Sequence, residues 1–596
     1  MTQPSASSYR LGGAFLVEET DCQDVLTPED FSSEDRAMAQ AARDFVDKEI
    51  VPRQEELDQK KPGQMAGLAH KAGELGFLGV QVPEEYDGLG GSQALGCLIE
   101  EQIGRVGSFG VTCMAHSGIG TMPITYFGSP ETKAKYLPKL ATGEFLAAYC
   151  FSEADSGSDA LAMRSRAALS EDGKHYVLNG SKMWISNAGL ADVFVIMTKM
   201  EGEKFGAFVV ERGYPGLIIE KEEHKMGIQG SSTCRITLED CKVPKENLLG
   251  EPGKGHLIAF NILNMGRYKL GAGTLGASKE IIRHSATYAT ERIQFGKPIG
   301  QFGLIQQKLA QMVRRAFVTE CILYRTAGMM DNLAELGELS QSIAPGFPLY
   351  VEEYALECST IKVTASENVN LIADEGVQIH GGYGYSEEFP VCRAYRDARV
   401  NRIFEGTNEI NRLFIPAMLL RRAERGKLPL LAAIGRVQKE LVGMSPMGGS
   451  APTEAIPRAE TAVANIRRLT LFLAGVSYQR FGNGLLEEQE VLAGLADAIM
   501  ELYKLESTML RAKKTTARPD AKRASLQQDL LVLQLEDTLS TVQSAAHTIL
   551  PHVSTGDELR SYLGLVRRLL KTEPTDVVAV GRRVGQTVYD AQSYPL

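Results

Sequence analysis

The strongest constraint on the fold of this 596-residue chain is that its hydrophobic periodicity changes twice along the sequence. Apolar residues recur at helical spacing over residues 30–144, follow strand patterns over 145–256, and return to helical spacing over 257–427. Ser32 and Ser33 stand where the N-cap of the first helix belongs. The sequence therefore predicts an α+β protein of several domains, in which a β domain lies between two helical domains.

Turn residues and apolar runs locate individual strands within the middle segment. Asp172-Gly173 and Asn179-Gly180 are residue pairs that two-residue hairpin turns favour. The runs 192–198 and 206–211 are continuously apolar, as in buried strands, and 234–238 forms a further strand. A small barrel or sandwich is predicted.

The last part of the chain indicates an additional helical unit. Segment 428–457 contains the stretch MSPMGGSAPTEAIP and is predicted to be a linker. A Pro-bearing insertion is expected near 340–349, and residues 1–29 form a separate N-terminal segment. In 458–596 apolar residues recur at helical spacing; they include Val463, Ile466, Leu469, Leu473, Val476, Leu492, Leu495, Ile499 and Leu502.

Composition and charge exclude several classes of function. The net charge of −10 offers no overall attraction for nucleic acid. The nine cysteines form no CxxC pair and the histidines no HExxH motif, so we expect no metal site and a reducing compartment. No stretch approaches the ~18 to 20 apolar residues of a transmembrane helix. The first 25 residues carry one basic residue, Arg10, unlike a leader sequence, so a cytoplasmic location is expected.

The stretch 271–276, GAGTLG, matches the dinucleotide-binding pattern GxGxxG by its letters. No convincing strand precedes it, and no second strand ending in an acidic residue follows at the required distance. We therefore interpret its small residues as allowing close packing of helices.

Four groups of motifs occur in the order and spacing of the acyl-CoA dehydrogenase flavoproteins, which the chain resembles over about residues 30–425. The full length, with its linker and extra helical unit, is most similar to the very-long-chain branch, which also contains a paralogue used in respiratory complex I assembly. The motifs are YCFSEADSGSD at 149–159, KMWISN at 182–187, ERIQFG at 291–296 with QIHGGYG at 378–384, and IFEGTNEINR at 403–412. The resemblance implies a helical domain, a β-barrel and a four-helix bundle, followed by an all-α domain.

Removing a proton next to a thioester carbonyl requires a base whose pKa is raised by burial and a site that stabilises the enolate oxygen. Glu405 lies between Phe404 and Gly406, and by itself it is most simply a glutamate of a surface turn. The resemblance instead identifies Glu405 as the catalytic base. It also implies that the backbone N–H of Glu405, with a ribityl hydroxyl of the cofactor, holds the thioester oxygen.

The resemblance further implies that the chain binds FAD through residues from two subunits, so that at least a homodimer is expected. One group shares a subunit with the base: Tyr149, Phe151, Ser152, Gly157, Ser158, Trp184, Ile185, Ser186, Thr407, Asn408 and Glu409. The other group reaches the cofactor from the partner: Arg292, Gln294, Phe295, Gln378, Gly381 and Gly382.

Without the resemblance, simpler explanations hold for several of these residues. Trp184, the only tryptophan, could equally fill a core, Arg292 could end a solvated helix, and HGGYG could be a loop. The chain also departs from the usual pattern at Ser152, where threonine is common, and at Ala154-Asp155, where proline and a small residue are common. The hydroxyl is retained, whereas a less rigid loop is expected.

Ser158, Asn264, Arg267 and Gly406 match positions on the substrate side in the family. Gly266 stands where members acting on shorter chains carry a larger residue, so a deeper acyl pocket is expected. The basic stretch 511–523 has two interpretations, a solvated face or a peripheral contact with an anionic membrane surface.

The resemblance thus implies an FAD-dependent dehydrogenation of long-chain or very-long-chain acyl-CoA to trans-2-enoyl-CoA in fatty acid β-oxidation, with an electron-transferring flavoprotein as acceptor. Two alternatives remain at this point. One is an acyl-CoA oxidase that uses oxygen, and the other is a non-catalytic scaffold that retains the fold.

Overall fold

A computed structural model describes residues 10–335, 349–443 and 452–596 of the chain. The insertion predicted near 340–349 and most of the MSPMGGSAPTEAIP stretch lie outside these residues. None of the described helices is long and apolar enough to cross a membrane.

The first domain is helical, as predicted. Its first helix begins at Ser32, whose hydroxyl accepts the backbone N–H of Asp35 at 3.0 Å while the Asp35 carboxylate accepts the Ser32 N–H at 3.0 Å. The helices are α1 Ser33–Phe45, α2 Gln54–Asp58, α3 Gln64–Glu74, α4 Gln93–Ile103, α5 Gly107–Met114, α6 Met122–Phe127 and α7 Pro130–Ala141.

The middle domain is a seven-stranded sheet with the strand order β1-β4-β2-β3-β7-β6, and β5 pairs with β4. Its strands are β1 Ala147–Cys150, β2 Arg166–Leu169, β3 His175–Ser186, β4 Val193–Lys199, β5 Phe205–Glu211, β6 Leu217–Glu222 and β7 Thr233–Pro244. The Asp172-Gly173 turn is confirmed between β2 and β3, and the predicted runs 192–198, 206–211 and 234–238 fall on β4, β5 and β7. Strands β1 and β6 were not individually predicted.

The predicted hairpin turn at Asn179-Gly180 is wrong, because β3 runs through both residues. The pairing of β3 with β7 shifts register between Leu178 and Gly180, which marks a bulge and not a turn. A Cβ atom on Gly180 would lie 2.4 Å from the Ser165 hydroxyl, so the glycine permits a close approach between neighbouring strands.

Four long helices, α8, α9, α11 and α13, pack together as the bundle of the third domain. The elements of this domain are α8 Gly255–Glu291, β8 Ile293–Gln294, β9 Lys297–Pro298, α9 Gly303–Glu335, α10 Leu349–Glu353, α11 Ala355–His380, α12 Pro390–Ala398 and α13 Asn408–Glu424. The GAGTLG stretch lies inside α8, where a Cβ on Gly271 would be 2.3 Å from Ile361 and one on Gly276 would be 1.8 Å from the Glu101 carbonyl. The interpretation as a helix-packing stretch is confirmed.

The additional C-terminal unit is also helical. It comprises α14 Leu430–Gly443, α15 Ala455–Phe481, α16 Gln489–Thr516, α17 Ala521–Val553, α18 Gly556–Leu569 and α19 Val577–Ala591. Helix α14 occupies part of the 428–457 segment predicted as linker, because Leu428, Leu430 and Ala433 bury their side chains against the domain. The apolar residues predicted to form the stripes of α15 and α16 are buried.

The basic stretch 511–523 is largely engaged within the chain. Arg511 is 1% exposed and donates to the Glu29 carboxylate at 2.7 Å. Lys514 and Arg518 both pair with Asp30, so the stretch fastens the N-terminal segment to the C-terminal unit. Much of the positive charge of this stretch is therefore neutralised within the chain, and a membrane contact is not shown.

Candidate active site

Glu405 lies on a strained turn between the 3-10 turn Arg399–Arg402 and the start of α13. Its φ angle is +58°, a left-handed conformation that is costly for a residue with a side chain, and Gly406 follows at +80°. Thr407 then caps α13 by accepting the backbone N–H of Ile410 at 3.3 Å. The turn thus fixes where the Glu405 side chain points.

Hydrogen bonds to the carbonyl groups hold this turn from two helices. The amide of Asn411, on α13, donates to the carbonyls of Gly406 at 2.9 Å and Thr407 at 3.0 Å. Arg267, on α8, donates from Nε to the Glu405 carbonyl at 3.2 Å. These bonds stabilise a conformation that the sequence alone would rarely adopt.

The carboxylate of Glu405 is suited to act as a base. Its Oε2 atom is buried and has no hydrogen-bond partner among the described residues. Burial raises the pKa of Glu405 to about 7, although the charges of Arg267 and Lys362 act in the opposite direction. A carboxyl group with this pKa is available in its charged form at neutral pH and binds a proton readily.

Gly266 provides the space that the Glu405 carboxylate occupies. A Cβ atom at position 266 would lie 2.5 Å from Oε2 of Glu405. The glycine was expected to deepen the acyl pocket, and the structure supplies a different reason for it. A side chain here would displace the base.

We expect Gly266→Ala to lower the rate of substrate oxidation roughly 10²-fold, because moving a reacting group by about 1 Å has effects of that size. The free energy of unfolding should stay constant or rise by up to about 1 kcal/mol, because alanine favours a helix. Single-turnover kinetics and chemical denaturation measure the two effects. Gly564→Ala on α18, where no atom lies within 4 Å of the new Cβ, is the matched control: it should raise the free energy of unfolding by up to about 1 kcal/mol and leave the rate unchanged. An unaltered rate in Gly266→Ala would contradict this assignment.

Asn264 and Arg267, which were expected on the substrate side, are both buried, and Arg267 contacts the Glu405 turn. Arg267 donates from Nη1 to the Asn264 side chain at 2.8 Å, and its guanidinium lies 5.3 Å from the centre of the Phe414 ring. Their observed partners are protein groups, so the structure brings them together as supports of the turn. Gly406 lies on that turn, whereas Ser158 is exposed on a loop of the β domain.

The residues expected beside the flavin ring lie at the ends of β1 and β3. Trp184 is 57% exposed at a φ angle of +62°, which excludes the alternative interpretation that it fills a core. Ile185 is buried, and the backbone N–H of Met183 donates to the Ser152 carbonyl at 2.9 Å. This bond places the 149–158 segment beside the Trp184 segment.

Tyr149, on β1, is buried, and its hydroxyl has no hydrogen-bond partner among the described residues. Burial raises the pKa of Tyr149 well above its ordinary value, and the charge of Glu405 adds to the effect. The phenol is therefore within electrostatic reach of the carboxylate, which connects the β domain to the Glu405 turn.

An ion pair that the sequence reasoning missed anchors the loop after β1. Lys182 is fully buried and pairs with Glu153 at 2.7 Å, while also donating to the Phe151 carbonyl at 3.1 Å. Glu153 in turn accepts the backbone N–H groups of Arg164 and Ser165 at 2.5 and 3.1 Å. The pair therefore holds the loop in place, although the proline common at this position is absent. Both residues lie inside the quoted motifs, but only burial reveals their role.

The negative charge of Asp155 is directed away from the expected cofactor site. Asp155 is largely exposed and pairs with Arg164 at 3.1 Å. Phe151 and Ser152 are half-buried, and Gly157 is exposed on the same loop, with no atom within 4 Å of a Cβ built on it. The acidic side chain therefore points to solvent.

The remaining predicted contacts form a second cluster. Arg292, Gln294, Gly381 and Gly382 line one open depression, and none of its lining residues belongs to the 149–158 segment or to the Trp184 segment. Phe295 beside it is 94% exposed, and Gln378 is exposed as well. Within one chain, these residues therefore stand apart from the Trp184 group.

At the Glu405 turn, Asn408 is buried and Glu409 is exposed.

Comparisons with known proteins agree with this architecture. The chain matches the acyl-CoA dehydrogenase N-terminal domain over residues 32–144, the middle domain over 148–241 and the C-terminal domain over 253–420. A further acyl-CoA dehydrogenase C-terminal domain matches residues 465–568.

Relatives are similar over two thirds or more of their own length. A probable acyl-CoA dehydrogenase of Bacillus subtilis (strain 168) is 43% identical over 99% of this chain and 99% of its own. The mitochondrial very long-chain specific acyl-CoA dehydrogenase of Homo sapiens is 37% identical over 74% of this chain and 69% of its own. The crystal structure of an acyl-CoA dehydrogenase complexed with FAD from Bacillus anthracis has a TM-score of 0.95 and 44% identity, covering 98% of this chain and 100% of that chain. The chain therefore belongs to the acyl-CoA dehydrogenase family, a class of oxidoreductases, and carries the additional C-terminal helical domain.

Proposed function

We propose that the protein is an FAD-dependent dehydrogenase that converts long-chain or very-long-chain acyl-CoA to trans-2-enoyl-CoA, with Glu405 as the base. The observation that carries this proposal is the Glu405 carboxylate, whose Oε2 atom is buried without a partner and whose pKa is raised to about 7. Burying a carboxylate without a partner is costly, and such groups concentrate at functional sites.

The residues present fit FAD. The Trp184 side chain is 57% exposed near the end of β3, where a flavin ring would cover it. Gly157, Gly381 and Gly382 have no atoms within 4 Å of a built Cβ, so a ligand can approach their backbone closely. Arg292 supplies a permanent cation for a pyrophosphate group. The bound cofactor would supply the acceptor for the hydride that leaves the β carbon.

The chain's own residues carry out the remaining tasks. Glu405 takes the proton from the carbon next to the thioester carbonyl, and its backbone N–H stabilises the negative oxygen that develops there. Arg267 and Asn411 hold the turn so that both groups act on one carbon–carbonyl unit. Tyr149 contributes a buried phenol whose pKa the charge of Glu405 raises further.

A homodimer completes the site in this proposal. Phe295 is almost fully exposed, Tyr385 is also exposed, and Arg292 lies under Tyr383 at 5.5 Å from the ring centre. An exposed aromatic cluster next to a cationic depression is typical of a surface that a partner covers. The second group of cofactor contacts then faces the Trp184 group of the other subunit.

We propose an electron-transferring flavoprotein as the acceptor, by analogy with the family. An oxidase would give the electrons to oxygen, and a scaffold would not turn over at all. The retained, buried Glu405 favours an enzyme over a scaffold, because a scaffold gains nothing from an unpartnered buried acid.

A chain-length series of acyl-CoA thioesters, mixed anaerobically with the FAD-loaded protein, tests the proposal. We expect bleaching of the flavin absorbance with formation of the trans-2-enoyl product, and higher kcat/KM for long chains than for butyryl-CoA. Product identity is measured by mass spectrometry, and reoxidation in air separates a dehydrogenase (slow) from an oxidase (fast). Absence of bleaching at every chain length would refute the proposed reaction. Preference for butyryl-CoA would refute only the long-chain assignment.

A further inference from the structure

A buried lysine on α11, Lys362, contacts the Glu405 turn just after Glu405, whereas Arg267 contacts the carbonyl of Glu405 itself. The side chain of Lys362 is fully buried, and its Nζ donates to the Gly406 carbonyl at 2.6 Å and to Oδ1 of Asn408 at 2.7 Å. These acceptors belong to the residues one and three positions after Glu405. Lys362 therefore links the bundle core to the turn that carries the base.

Both observed acceptors of Lys362 are neutral, which is unusual for a buried ammonium group. Among the described residues, no carboxylate lies within 4.0 Å of its Nζ as an ion-pair partner. Burial lowers the pKa of Lys362 to about 7, and the charge of Glu405 is the strongest influence that raises it again. A buried cation held only by a carbonyl and an amide is stabilised mainly when Glu405 is charged.

Arg267, Glu367, Glu409 and Tyr149 are the other titratable groups that interact with Glu405 or Lys362. Arg267 faces both from α8, and burial lowers its pKa too. Glu367, on α11, is paired with Arg412 at 2.7 Å, and Glu409 is exposed at the start of α13. Lys362 is thus the buried amine whose charge responds most directly to Glu405.

We propose that Lys362 is a positioning residue for the reaction: its ammonium group fixes the Glu405 turn and supplies the positive charge that stabilises the ionised base. This inference rests on the proposed function of Glu405. The two hydrogen bonds fix the backbone, and the charge favours the carboxylate form. Lys362 itself does not contact the reacting carbon.

Three variants separate charge from hydrogen bonding in the FAD-loaded enzyme. Lys362→Gln removes the charge but keeps a donor, Lys362→Arg keeps the charge, and Asn411→Leu removes two donors to the same turn without changing charge. Anaerobic reduction by a long-chain acyl-CoA is followed from pH 5.5 to 9. The rate of the wild type should rise with pH through about 7, because only the ionised form of Glu405 accepts the proton.

In Lys362→Gln, we expect the rise of the reduction rate with pH (the rising limb of the pH–rate profile) to occur about one pH unit or more higher than in the wild type. The reason is that a nearby opposite charge lowers the pKa of a carboxyl group by about one unit or more. Lys362→Arg should restore the limb towards its wild-type position. Asn411→Leu should lower the rate but leave the limb in place or move it to lower pH, because a looser turn admits water to Glu405. If the reduction rates of Lys362→Gln and of the wild type rise at the same pH, the proposal is overturned.

A second readout does not depend on turnover. The infrared carbonyl band of protonated Glu405, identified by its loss in Glu405→Gln, should titrate near pH 7 in the wild type and at higher pH in Lys362→Gln. Equal titrations in the two proteins overturn the inference even if Lys362→Gln is too unstable for kinetics at the extremes of pH. If the wild type is never reduced by an acyl-CoA, the proposed function fails, which is a distinct result.

Discussion

Replacing Glu405 by Gln should lower the rate of anaerobic flavin reduction by long-chain acyl-CoA at least 10²- to 10⁴-fold, the range typical of losing a general base. The amide has nearly the same shape but cannot accept the α proton. It also removes a buried carboxylate with an unpartnered oxygen, so the variant should be at least as stable as the wild type. Stopped-flow absorbance and thermal unfolding of the same preparations measure both effects.

The control for this experiment is cofactor content. Glu405→Gln should retain FAD in the wild-type ratio, because none of the proposed FAD contacts is altered except through the turn. A variant that is reduced as fast as the wild type would show that another group removes the proton. Equal inertness of both proteins with every chain length would favour the scaffold alternative.

Replacing Arg511 by Met should destabilise the protein by about 3 to 5 kcal/mol, the usual cost of removing one partner from a buried ion pair. Arg511 is 1% exposed and bridges Glu29 of the N-terminal segment and Glu320 of α9. Its loss leaves the Glu29 carboxylate 4% exposed and without its principal cation. The N-terminal segment and α16 should then separate first.

Denaturant titration gives the change in midpoint, and limited proteolysis near Glu29 tests whether the N-terminal segment is released. Lys513→Met is the matched control, since Lys513 pairs with Glu460 at the surface with both side chains more than 40% exposed. We expect that variant to remain within about 0.5 kcal/mol of the wild type. Equal stability of the Arg511 and Lys513 variants would contradict the view that the basic stretch fastens the N-terminal segment.

The spacing of apolar residues was sufficient to predict structural features that depend only on neighbouring residues in the sequence. The helical stripe of α15, with Ile466 and Leu469 at its centre, is buried as its spacing predicts. The Asn179-Gly180 pair shows the limit of such reasoning, because the same residues form a tight turn in one context and a bulge in another. Here pairing with β7 decided the outcome, and that strand lies about sixty residues further along the chain.

The order of the domains, the buried stripes of the helices and, through the IFEGTNEINR motif, the identity of the proposed base could be predicted from the sequence. Three features became visible only in the folded chain: Gly266 makes room for the base, Lys362 holds its turn, and Arg511 forms a buried ion pair rather than a surface charge. The physical reason is that periodicity is encoded within a few residues, whereas the burial and the partner of a charged group depend on segments that meet only after folding.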